Sequence, residues 1–255
     1  MPVVTALGGA LRSLVDLAVP PSCAACGRPD DGLCGPCTAD LEASSWQGPR
    51  LVTPTPCPAG LPPVVAATAF AGTVARLVVA HKDRDRRDCA PVLAQLLGAS
   101  IEGALAFHPA LAASLAAGAG PVLVVPVPSS ARARRARGDS PLVDLARRAV
   151  RGFPPGEVLV STALTVRRRV ADQAGLGAAD RAANLEHAFA VRARWRDHVG
   201  RLPCLLVDDV LTTGATLTEA ARALRAAGAP EVLAAAACAT ERRIPGIRNG
   251  SASTG

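Results

Sequence analysis

Residues 202–227 are the part of the chain that most narrows what it can fold into. Leu202–Val210 is an apolar run that ends in two adjacent carboxylates, Asp208 and Asp209. Leu211-Thr212-Thr213-Gly214 then turns the chain, and Ala215–Ala227 follows with Leu217, Ala221 and Leu224 on adjacent turns and Gly228 just past the end. The unbroken apolar run reads as a strand, the spacing that follows as a helix, and the glycine as its C-terminal cap. A strand feeding directly into a helix is the building unit of a sheet with helical crossovers.

The same alternation runs through the preceding residues. Val64–Phe70 reads as a strand, Gly72–His81 and Ala90–Phe107 as helices, and Val122–Val127, between Pro121 and Pro128, as a buried strand. Ser140-Pro141 opens another helix, with a capping residue and a proline at the first position. Val158–Val160 and Leu164–Val166 are short strands. Ala178–Phe189 reads as helical with a C-terminal portion able to pair as a strand, and Val232–Ala239 is the last strand. Strands alternating with helices predict an α/β fold built on a parallel sheet.

The 255 residues accommodate one compact domain and a small appendage. Residues 1–60 are expected to hold an amphipathic helix, a cysteine module and a linker, residues 61–241 the α/β domain, and residues 242–255 a disordered tail. Within residues 5–19, Leu7, Leu11, Leu14, Val15 and Ala18 lie at helical spacing, and Pro20-Pro21 stop the helix. Its polar face lacks a Lys/Arg cluster, so it is expected to pack on its own protein rather than on a membrane. Residues 44–63, rich in Ser, Pro and Gly, read as the linker.

Composition excludes several classes. Hydrophobic residues make up 49% and charged residues 19%, which provides a core and argues against a largely disordered chain. With four Phe, two Trp and no Tyr, rows of aromatic side chains for base stacking are not available. The uncharged stretches 52–75 and 103–131 are interrupted by prolines or glycines, and the N-terminus carries no signal-type pattern. No membrane span and a cytoplasmic location follow as expectations. The net charge is +7, carried almost wholly by Arg, with Lys82 the single lysine. Such a balance favours anionic partners, and the guanidinium fork suits phosphate. A lone retained ammonium marks Lys82 as a position a guanidinium would fit poorly.

Of eight cysteines, four are clustered as Cys23-x2-Cys26 and Cys34-x2-Cys37. Two such knuckles bring four thiolates together for a tetrahedral structural Zn²⁺ with no position left open for catalysis. A redox pair or disulfides are the rival readings. Cys57, Cys89, Cys204 and Cys238 are scattered and read as small hydrophobes or without a role.

The strand-end segment carries the chemistry. Ligands of open α/β sheets sit beyond the carboxyl ends of the strands. The helix start offers unpaired N–H groups and a positive dipole to a phosphate. Gly214 permits close backbone approach, and Thr212, Thr213 and Thr216 add hydroxyls. Asp208 and Asp209 can accept from vicinal ribose hydroxyls or hold a hydrated Mg²⁺. The segment is neither a Walker A loop nor a Rossmann fingerprint.

The thirteen residues from Leu205 to Leu217 resemble the phosphoribosyl pyrophosphate (PRPP) motif of type I phosphoribosyltransferases. The flanking sequence resembles the ComF/GntX competence-protein family over roughly residues 5–240. The shared features are the paired cysteine knuckles, His81-Lys82, Pro126-Val127-Pro128, Arg137-Gly138, and Gln173, Arg181 and Asn184. The chain departs from that pattern at Asp83 and Asp139, where the family usually carries aromatic residues.

The resemblance implies a phosphoribosyltransferase-like domain behind a small zinc module. It implies PRPP bound by Lys82, Arg137, Asp208, Asp209 and the loop Thr212, Thr213, Gly214, Ala215 and Thr216. It also implies Mg²⁺ dependence and a nitrogen acceptor, with Asp208 and Asp209 in the catalytic position. The flap that covers PRPP in this superfamily would correspond to the segment around Arg167, Arg168 and Arg169. An alternative implied by the same family is a non-catalytic module that senses PRPP or binds single-stranded DNA or DNA-uptake machinery.

Overall fold

The computed structural model describes residues 22–29, 32–84, 86–118, 120–128, 140–167 and 187–240. The amphipathic helix expected at 5–19, the tail after 241, most of the segment 178–189, and Arg137, Gln173, Arg181 and Asn184 lie outside these residues.

Helix α1 (Gly35–Ser44) leads into the strands β1 (Ser45–Val52) and β2 (Val64–Ala69). Helices α2 (Gly72–Asp83), α3 (Ala90–Phe107) and α4 (Pro109–Ala116) follow, then β3 (Val122–Pro126) and α5 (Pro141–Ala149). The chain continues through the short strands β4 (Val158–Val160), β5 (Leu164–Val166) and β6 (Phe189–Val191) and the turn of helix α6 (Arg196–Val199). It ends in β7 (Cys204–Leu211), α7 (Ala215–Ala226) and β8 (Val232–Ala239). Six strands form one sheet in the order β1-β2-β8-β7-β3-β4, and β5 pairs with β6 in a separate antiparallel ribbon.

From β2 to β4 every neighbouring pair in the sheet is parallel, as the strand–helix alternation predicts. The expectation for 44–63 needs correction at its start. Residues 45–52 are not linker but the antiparallel edge strand β1, with Val52 opposite Val64. Pro49 is tolerated there because an edge strand can spare an amide donor.

Each face of the sheet is covered. Val74, Leu77, Leu93, Leu97, Ile101 and Leu145 from α2, α3 and α5 pack on one face. Leu217, Ala220 and Leu224 of α7 and Phe189 of β6 pack on the other. Strand β8 lies between β2 and β7 and is buried at every residue, with alanine at most positions. Small side chains let α3 seat closely on it. The Ser100 hydroxyl bridges the gap, donating to the Ala236 carbonyl at 2.7 Å. A Cβ at Gly98 would meet the Ala149 carbonyl at 3.0 Å, and one at Gly103 would meet Pro49 at 2.8 Å. Glycine at these two positions therefore permits the close approach of α5 and β1 to α3. Together with the turn before it, α3 is long and apolar enough to cross a membrane. Here it packs against β8, β2 and α5 as a core helix.

On the opposite face Glu219 of α7 fastens the β5–β6 ribbon. Its carboxylate accepts the Phe189 N–H at 3.0 Å and the Arg222 Nε and Nη2 at 2.6 and 2.8 Å. The same guanidinium donates to the Phe189 carbonyl. Burial works against ionisation of Glu219, but the bonds from Arg222 and the Phe189 N–H outweigh it and hold its pKa below the ordinary glutamate range. Glu219→Gln should therefore cost about 2 kcal/mol at neutral pH, since one charge-assisted network is lost. A depressed folded-state pKa gives stability that is present above the unfolded value and lost on acidification. Denaturation curves of parent and variant should thus converge as pH falls through and below the glutamate range. Parallel curves at all pH values would contradict this role.

Candidate functional site

Strand β7 runs further than its apolar residues suggest. Asp208 and Asp209 lie inside its last half, ahead of the buried Leu211, rather than just past its end. Because side chains alternate along a strand, Asp209 shares the side of Leu205 and Val207, where α2 lies. There Lys82, in the last turn of α2, reaches its carboxylate at 3.1 Å to Oδ2 and 3.2 Å to Oδ1. The pair joins residues 127 apart in the chain. Burial works to lower the Lys82 pKa, but the charges of Asp209 and Asp208 outweigh it and the net shift is upward.

Asp208 has no ion pair among the described residues. Its Oδ1 accepts the Asp209 N–H at 2.9 Å. Burial, and then the neighbouring charge of Asp209, hold its pKa well above the ordinary carboxylate range, against the smaller pull of Lys82.

Beyond the strand, Gly214 occupies the N-cap position of α7 with φ +78°, in the left-handed region that favours glycine. A Cβ there would lie 3.1 Å from Leu61 and 3.4 Å from Pro54. The glycine is needed for this backbone shape and for the Pro-rich segment packed beside it, a reason different from the ligand approach expected from sequence. The Gly60 carbonyl is held by Arg225 of α7 at 2.6 Å, which keeps that segment against the helix.

The helix start is open. Thr213 Oγ1 accepts the Ala215 N–H at 3.4 Å, and the Gly214 carbonyl accepts from both the N–H and the hydroxyl of Thr218. The N–H groups of Thr216 and Leu217, which a helix cannot satisfy internally, have no partner among the described residues. Thr212 is exposed, and its carbonyl accepts from Thr240 at the end of β8. Thr240 and Leu61 carry no signal in the sequence. Only the pairing of β7 with β8 and the path of residues 53–63 bring them here. The structure thus gathers Lys82, Asp208, Asp209, Thr212, Thr213, Gly214, Ala215 and Thr216 at one end of the sheet, while Arg137 lies outside the described residues.

The cysteines form a second cluster. Their four Sγ atoms all lie within 4.8 Å of one another, with Cys26 and Cys34 3.5 Å apart. Zinc–sulfur bonds of about 2.3 Å in a tetrahedron would put the sulfurs about 3.8 Å apart. Cys23 turns back through Gly27, whose φ is +77°, and Cys34 caps α1, whose first turn carries Cys37. Burial pushes the Cys23 thiol up, but N–H bonds led by that of Cys34 outweigh it and bring its pKa down to about 6. Cys34 is pushed up to about 12. The Cys37 N–H favours its thiolate, but burial and the surrounding thiols of Cys26, Cys23 and Cys37 outweigh that bond. Four thiolates at this spacing repel one another and call for a cation between them. The donor set is one that can bind zinc. By contrast Cys57 is exposed and outside both sites, and Cys89, Cys204 and Cys238 are buried.

A family model described as the phosphoribosyl transferase domain matches residues 202–249. Its described part covers β7, the threonine loop, α7 and β8. No curated protein matches the chain. The expected class, an α/β domain of phosphoribosyltransferase type with a cysteine module that can bind zinc, agrees with the sheet, the cysteine geometry and this match.

The half-buried charge of Asp208, beside that of Asp209, has a measurable cost. Asp208→Asn keeps the acceptor for the Asp209 N–H and removes the charge. The variant should melt a few degrees higher at neutral pH, at about 2–4 °C per kcal/mol for a chain of this size. An acid whose folded pKa is raised makes the parent less stable as pH rises through that pKa. The gap in melting temperature should therefore close as the pH is lowered toward the ordinary carboxylate range. A variant less stable than the parent at neutral pH would refute the assignment.

Proposed function

We propose that the chain binds PRPP at the end of β7 and, with Mg²⁺, transfers its phosphoribosyl group to a nitrogen acceptor. One observation carries the reading: two carboxylates at a strand end stand beside a helix start whose Thr216 and Leu217 N–H groups are open. The open N–H groups and the hydroxyls of Thr212, Thr213 and Thr216 suit the 5′-phosphate. Asp208 and Asp209 suit the ribose hydroxyls, directly or through the metal's water shell. Bound Mg²⁺ supplies charge neutralisation on the pyrophosphate.

In the transfer, the acceptor nitrogen forms a bond to the anomeric carbon as the bond to the pyrophosphate oxygen breaks. Pyrophosphate leaves with the electron pair, and the nitrogen gives up a proton. Positive charge builds on the sugar ring, and carboxylates close to the ring would stabilise it. Lys82 holds Asp209 in place and is positioned to turn to an anionic ligand. Resemblance to the ComF family extends the proposal to a role in DNA uptake.

Calorimetric titration with PRPP tests the reading. Binding should require Mg²⁺. Asp208→Asn combined with Asp209→Asn should weaken it at least about tenfold, as charged contacts are lost, with no loss of thermal stability. Thr216→Ala should cost about 1–2 kcal/mol. Unchanged affinity in the double variant would overturn the carboxylate roles.

We also infer that Cys23, Cys26, Cys34 and Cys37 hold one structural zinc. Elemental analysis should find one zinc per chain, and Cys26→Ser should lower the content, because Cys26 is the exposed ligand and loses least packing on substitution. A folded, reduced chain without zinc after exposure to the metal would refute it.

A further inference from the structure

A second cationic site lies apart from the threonine loop, where the end of α2, the turn before α3 and the outer side of α5 meet. A cavity of about 160 Å³ there is lined by His81, Arg87, Asp144, Arg147, Arg148 and Arg151 among others. The volume equals about five waters at about 30 Å³ each, room for one tetrahedral oxyanion and too little for a nucleoside. Four guanidinium groups face one carboxylate.

The carboxylates nearby are already engaged. Asp144 is taken up by Arg147 at 3.4 Å. Asp88 is gripped by Arg86 at 2.9 and 2.6 Å. Arg148 and Arg151 have no ion pair or side-chain hydrogen bond among the described residues. The dipole of α5 accounts for Arg147 and Arg148 in its last turn. It does not account for Arg87, on another element, or for Arg151, beyond the helix. Both ring nitrogens of His81 are shut off from solvent and have no partner among the described residues, which native interiors seldom leave so. We propose that this cavity binds a phosphate group, held by forked contacts from Arg148 and Arg151. The inference does not rest on the reading of the β7 end.

The phosphate can belong to a free anion or to a larger molecule, and two arms of one experiment separate these. The full chain, labelled with ¹⁵N, is titrated with inorganic phosphate and, separately, with a short oligothymidylate. The ring signals of His81, assigned by their loss in His81→Gln, report this cavity, and the Arg148/Arg151 double variant distinguishes it from the site at Lys82 and the threonine loop. Shifts with inorganic phosphate identify a site for a free anion. Shifts with the oligonucleotide alone identify a site for a chain phosphate. In either case Arg148→Gln combined with Arg151→Gln should weaken the response at least about tenfold with the melting temperature unchanged, since both side chains are exposed. No shift in either arm, or the parent's affinity in the double variant, would overturn the proposal.

Discussion

The seat of α3 on β8 is the contact from which the rest of the domain is arranged. An alanine-rich strand buried at every position cannot fill the space above it with its own side chains, so a helix must come down close. Ser100 takes the Ala236 carbonyl as an acceptor, and glycines at 98 and 103 remove the side chains that would hold α5 and β1 away. With α3 fixed, α2 is directed across the end of β7, and this places Lys82 on Asp209. The candidate site thus inherits its geometry from packing at the centre.

That end also spends stability. Asp208 is a carboxylate without a counter-ion of its own among the described residues, raised in pKa by burial and by its neighbour. Two like charges side by side on a strand end persist only where the surrounding sheet over-determines the backbone. Positions that break a local rule in this way are where function is expected. The cysteine cluster follows the same logic with the opposite cure, since a bound cation removes the repulsion that four close thiolates create.

Much of this was legible in the residues. Val232–Ala239 is apolar from end to end and is a strand over those same residues. The helix at Pro141 announces itself by its proline, although the Ser140 side chain makes no capping bond. The strand β1 was hidden because Gly48 and Pro49 sit within it, and a paired edge strand tolerates what a central one does not. Helix α1 was hidden by its Gly-Pro start and its lack of an apolar stripe. At the site, the Asp-Asp-Val-Leu-Thr-Thr-Gly segment could be read directly because its residues follow one another in the chain. The Lys82–Asp209 contact, the packing of Leu61 on Gly214 and the cavity at His81 join segments far apart in the chain, and no pattern along the sequence encodes them.

The place of β1 bears on where this chain can be cut. Its strand is supplied by residues directly after the cysteine module, and it covers the outer side of β2. A shortened chain beginning at residue 61 would bare the backbone donors and acceptors of β2, a strand almost wholly buried in the intact protein. It would also strip Pro49 from α3 and Pro54 from the loop before α7. Such an uncovered apolar edge is a template for pairing with other molecules. Strand β1 and the rest of the sheet are therefore one unit of solubility, wherever the cysteine module is cut.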